Sequence, residues 1–124
     1  MTQQPSQYWR RTLREALLAA RKDRDATRVA ALRSALGAVD NAETPDEVRI
    51  EAASSGKIAG SVAGLGAAEV PRRELSDKQI RDLLQAEIDE RLSAAREFTA
   101  GDHAERATML RAEAAVLSDL LGDV

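Results

Sequence analysis

The chain has 124 residues, 44% of them hydrophobic and 31% charged, which bounds it to one domain of ordinary globular composition. It holds no cysteine and a single histidine, His103, so disulfides, thiolate chemistry and histidine metal clusters are excluded. The net charge of -3 is unevenly spread: residues 1–33 carry eight basic and three acidic side chains, a net +5, and the remainder a net -8.

Alanine supplies much of the apolar fraction, and the aromatics are only Tyr8, Trp9 and Phe98. The expected core is thin and aliphatic, with helices packed closely over small side chains. The longest uncharged run, between Lys57 and Glu69, is rich in glycine and far shorter than the roughly 20 apolar residues of a membrane span. The opening MTQQPSQYWRR lacks the apolar centre of a signal peptide. A cytoplasmic protein without membrane association is expected.

Residues 1–6 read as a flexible tail. A first helix is expected from about Ser6 to Arg21, with Trp9, Leu13, Leu17 and Ala20 on one face and Ala16 beside them. Trp9 reads as a core anchor, ahead of a base-stacking role next to Arg10 and Arg11. Lys22 to Arg24 form a polar joint, and Asp25 is suited to cap a second helix over about Ala26 to Ala42. Val29, Leu32, Leu36 and Val39 give that helix its stripe, with Ala35 alongside. So short a joint predicts an antiparallel hairpin.

Thr44, Pro45 and Glu47 spell a helix start, predicting a short helix to about Ala53 held by Val48 and Ile50. The 54–73 stretch that follows is Gly- and Ala-rich, with Gly56, Gly60 and Gly64 at every fourth position. It reads as a loop pinned to the domain by Ile58, Val62, Leu65 and Val70, ahead of a close-packed helix with a ridge of small residues. A phosphate-cradling loop ranks last, because the Gly-Lys-Ser/Thr ending and the preceding strand are missing.

Leu75 to Phe98 is the stretch around which the chain is organised. Ser76 and Gln79 have capping-box spacing, and Ile80, Leu83, Leu84, Ile88, Leu92 and Ala95 recur at threes and fours. Gly101 breaks the chain. Asp102 and Glu105 have the spacing of a further capping box, and a last helix runs to about Leu121 with Ala107, Leu110, Ala114, Leu117 and Leu121 inward. His103 falls in its first turn and is expected to be solvated. The fold class that follows is all-α: a single domain, 1–124, of four main helices in two antiparallel hairpins with the Gly/Ala-rich loop between them.

No catalytic constellation is recognisable, and no metal or cofactor is expected. Glu87 and Arg91 are four apart, the spacing of a surface ion pair, with partial burial open because Glu87 adjoins Ile88. A carboxylate metal site lacks the Glu-x-x-His pair it needs. What remains is a basic cluster, of which Arg10, Arg11, Arg14, Arg21, Lys22 and Arg24 are the candidates for contact with nucleic-acid phosphate. A solvated charged face is the plainer reading of the same residues.

Two runs carry a resemblance. AARKDRDATRVAALRSALGAVDNAE, with Leu32-Arg33 and the turn Asn41-Ala42-Glu43, resembles the early hairpin of the GatB/YqeY family. ELSDKQIRDLLQAEIDERLSAAREFTAGDHAERATMLRAEAAVLSDLL resembles that family's capped helix, acidic and arginine-containing middle, Gly turn and Ala/Glu-rich last helix. The likeness covers about residues 9–121, and IAGSVAGLGAAEV is similar to an insertion in a compact subgroup. The resemblance implies a helical domain related to part of the B subunit of glutamine-dependent aminoacyl-tRNA amidotransferase, which forms a carbon–nitrogen bond with glutamine as amido-N donor. It implies an accessory role in tRNA amidation or tRNA binding, with tRNA or an amidotransferase complex as partner. Longer relatives continue into a tail domain that touches tRNA; here the chain reads Asp119-Leu120-Leu121-Gly122 at that point, and neither that tail nor the catalytic cradle has a counterpart, so no catalytic residue carries over. The alternative is a non-catalytic protein-interaction module, docking a partner near Ile58, Val62 and Leu65.

Overall fold

The computed structural model describes residues 4–45 and 73–122. Within them lie four helices: α1 (Pro5–Lys22), α2 (Ala26–Glu43), α3 (Asp77–Ala100) and α4 (Ala104–Gly122). The expected short helix near Ala53 and the Gly-rich stretch, with Ile58, Val62 and Leu65, fall outside the described residues.

Each boundary has a local cause. Helix α1 reaches back to Pro5, so residues 5 and 6 belong to it rather than to a tail; the fixed φ and absent N–H of proline suit the first turn. The Asp25 side chain accepts from Arg28 N–H at 3.1 Å and starts α2. At α3 the capping box is complete: Ser76 Oγ accepts from Gln79 N–H at 3.0 Å, and Gln79 Oε1 accepts from Ser76 N–H at 2.8 Å. Thr44 is the C-cap of α2, and its hydroxyl donates back to Asp40 O at 2.8 Å.

The two connections share one device. Asp25 N–H donates to Ala20 O and Arg24 N–H to Arg21 O, while Arg24 takes a left-handed φ of 56°. His103 N–H donates to Phe98 O and Asp102 N–H to Thr99 O, with Asp102 at φ 67°. Both are Schellman closures, which satisfy the last carbonyls of the outgoing helix. This corrects the expected Asp102–Glu105 capping box. Asp102 belongs to the end of α3, and α4 starts from the His103 carbonyl, which accepts from Ala107 N–H.

The connections make two antiparallel hairpins, α1–α2 and α3–α4. Side-chain links within the second run antiparallel, from Arg81 to the Leu121 carbonyl, Arg91 to Glu113 and Arg111 to Thr99. Helix α2 packs against all three others, and α1 also touches α3. Trp9, Leu13, Leu32, Val39, Ile80, Leu84 and Leu117 are fully buried between the hairpins, with Ala20, Ala31 and Ala35 letting the backbones approach. A smaller cluster of Ala95, Ala107 and Leu110, with Ala94 and Phe98 packed on it, holds the tip of the second hairpin.

Some expected stripe positions lie off the buried lines; Leu17, Leu83 and Leu121 are half-buried at the edge of the core. Leu92 is 37% exposed, because the four-residue row through Ile80, Leu84 and Ile88 drifts by about 40° a step and has left the inward face by Leu92, where Ala95 takes over. On α2 the buried line runs through Ala31, Leu32, Ala35 and Val39, leaving Val29 and Leu36 half-buried. A helix with three neighbours buries toward its small side chains, where those neighbours come closest. No described helix is long and apolar enough to cross a membrane.

Candidate nucleic-acid interface

The six basic candidates separate into two groups. Arg10 is not a free surface cation. It lies on the edge of the α1 stripe, one residue after buried Trp9, and its guanidinium pairs with Asp40 at 3.0 Å and with the buried Glu43. Its Nε is buried without a hydrogen-bond partner. Arg10 therefore ties the start of α1 to the end of α2, where Glu43 O also accepts from Arg73 N–H at 2.7 Å.

Arg11, Arg14, Arg21, Lys22 and Arg24 are exposed, and none pairs with an acidic side chain among the described residues. With 3.6 residues per turn, Arg11, Arg14, Arg21 and Lys22 fall within an arc of about 100° and extend over about 16 Å of α1. That arc lies opposite the buried line of Trp9, Leu13 and Ala20. Leu18, 54% exposed, stands in the middle of it, and Glu15 is the single acidic side chain at its border. Asp23, at the end of the ridge, is occupied by Arg28 at 3.2 Å. Arg21 and Lys22 also face the carbonyl end of α1, where positive charge is favoured.

Trp9 is at 0% exposure, and its Nε1–H donates to Asp77 Oδ1 at 2.8 Å. Arg81 lies over the indole, 5.5 Å from its centroid, and its Nε donates to Asp77 Oδ2 at 2.8 Å. The tryptophan is a core anchor and is sealed from any base. The Asp77 carboxyl is held below its ordinary value of 3.8, first by the Trp9 hydrogen bond and then by that from Arg81.

A polar cluster between α2, α3 and α4 was only partly legible. Arg91 Nη1 donates to Glu87 Oε1 at 3.1 Å, Arg91 Nε donates to Glu113 Oε1 at 3.0 Å, and Ser34 Oγ donates to Glu87 Oε1 at 2.6 Å. The Glu87–Arg91 pair lies within α3 but is largely buried rather than on the surface, and Ser34 and Glu113 extend it to α2 and α4. The available signal was Glu113, one residue before Ala114 and three after Leu110 on the inward side of α4. The cluster borders a cavity of about 310 Å³ with Glu90 and Arg106.

A second, more apolar groove of about 380 Å³ is lined by Ala42, Leu75, Leu83 and Ala86 together with the polar Arg73, Gln79 and Asp82. His103 is exposed and stands edge-on to Phe98. Among the described residues no group of His, Asp and Glu side chains converges as a metal-ligand set. Comparison with known protein families, curated proteins and solved structures returns no match for this chain.

Proposed function

We propose that the chain is a GatB/YqeY-like accessory module that contacts tRNA through phosphate, serving glutamine-dependent amidation of aminoacyl-tRNA without carrying the chemistry. The observation that supports contact is the ridge of unpaired cations on the outer face of α1, from Arg11 to Lys22, on an otherwise acidic chain. Exposed cations without an acidic partner are free to neutralise nucleic-acid phosphates, and release of the counterions condensed on those phosphates drives association. Arg10 is left out of the contact because Asp40 and Glu43 hold it.

The test is a salt titration of tRNA binding, wild type against Arg11→Glu, Arg14→Glu and Arg21→Glu together. The expected result is that log affinity falls steeply with log salt and that the triple change nearly abolishes binding at low salt. Intact binding by the triple variant rejects the reading. A parallel glutamine- and ATP-dependent amidation assay on mischarged tRNA is expected to give no turnover with the pure chain; turnover would restore a ligase reading.

The competing role is a protein-interaction module, favoured by the groove at Ala42, Leu75, Leu83 and Ala86. Its signature is a pull-down in which Leu83→Glu releases a protein partner while tRNA binding is unchanged.

A further inference from the structure

We infer that the α1 ridge takes base-paired RNA stems rather than single strands; this rests on the tRNA-contact reading above. Two observations carry it. The first concerns stacking. Sequence-tolerant binding of single strands uses aromatic faces on which successive bases stack, with a cationic groove to follow the backbone. The aromatic side chain nearest the ridge in sequence, Trp9, is wholly buried and committed to Asp77 and Arg81. Tyr8 is 39% exposed, lies off the arc, and its ring stands edge-on to Trp9 at 6.1 Å. Phe98 is at the tip of the other hairpin, against His103 and Arg106. The large apolar side chain on the ridge itself is Leu18, which offers no π face.

The second concerns rigidity. Arg11, Arg14, Arg21 and Lys22 sit on an unbroken helix anchored along its inner side, so their spacing is set before the ligand arrives. A duplex holds its phosphates in an equally fixed array, and the two meet with little ordering cost. A single strand must give up backbone freedom to line up its charges, and here no aromatic face on the ridge offsets that loss. The A-form major groove is too deep and narrow for side chains to read, so recognition of a stem falls to phosphates and 2′-hydroxyls, which guanidinium groups suit.

The experiment measures fluorescence anisotropy at low salt with the full chain. The probes are a blunt RNA duplex, one of its strands in an unstructured sequence, and tRNA. The expected result is duplex affinity at least about tenfold above that of the strand, abolished for duplex and tRNA alike by the Arg11, Arg14 and Arg21 charge reversals. The milder Arg11→Gln and Arg14→Gln pair, checked for unchanged helicity by circular dichroism, weakens duplex binding in the same direction. Equal or stronger binding of the strand overturns the inference while leaving the tRNA reading in place. Duplex binding that survives both sets of changes removes it from this face. Polyglutamate competing as well as duplex at equal charge also overturns it, by marking a generic anion surface. Loss of binding to all three RNAs in the wild type sinks the tRNA reading itself.

Discussion

Arg91 stands between two carboxylates, Glu87 and Glu113, at hydrogen-bond distance from each and with only 12% of its side chain in solvent. Replacing it with methionine keeps the bulk but leaves two acids facing each other. Arg91→Met is expected to cost about 2 kcal/mol in denaturant unfolding, and adding Glu113→Gln to recover part of that loss. Asp77 makes a different prediction. Its folded value is depressed, so its contribution is fully present above the unfolded carboxylate value and is lost as pH falls through the folded one. Acid titration of the melting temperature is therefore expected to fall less steeply below pH 3.8 in Asp77→Asn than in the parent. Trp9 was legible as an anchor because it lies in register with Leu13 and Ala20. Arg10 was not legible as an ion-pair partner, because its acids, Asp40 and Glu43, come from the far end of α2 and pair only once the hairpin closes.

At the scale of the element, helix starts were legible wherever a side-chain cap makes them, as at Asp25 and Ser76. The Asp102–Glu105 spacing misled because a three-residue connection cannot serve two masters: the closure of α3 takes Asp102 into the left-handed region before α4 begins. The spacing of residues cannot say which helix an intervening residue belongs to. Gly37 offers a direct test of helix α2. It lies mid-helix and exposed, and a methyl group there would meet nothing within 4 Å. Gly37→Ala removes unfolded-state freedom without a clash, and thermal or urea denaturation is expected to register a gain of about 0.5–1 kcal/mol.

For the whole molecule, the all-α class and the two hairpins were readable because periodicity and short joints are local properties. How one hairpin lies on the other was not, since it depends on which small side chains let α2 approach α3 and α4. Leu84 sits at that junction with no exposure. Leu84→Asp would bury a charge with no partner, and a loss of several kcal/mol is expected, roughly the whole stability of so small a domain. A variant melting like the parent in circular dichroism would remove Leu84 from the core. The charge asymmetry belongs to this scale too: Arg11, Arg14, Arg21 and Lys22 of the first hairpin are turned outward along α1, whereas Arg10, and Arg81 and Arg91 of the second hairpin, are held by acids.

Trp9 is the only tryptophan in the chain, and it is buried where the first hairpin meets Asp77 and Arg81 of the second. The protein thus carries a built-in optical gauge. Its indole emission reads whether the two hairpins are docked, while far-ultraviolet ellipticity reads whether the helices exist. Superimposed curves in urea would mean that the hairpins have no independent existence. An emission shift that precedes the loss of ellipticity would mean that the halves part as intact helical pairs, a sub-global opening at the interface.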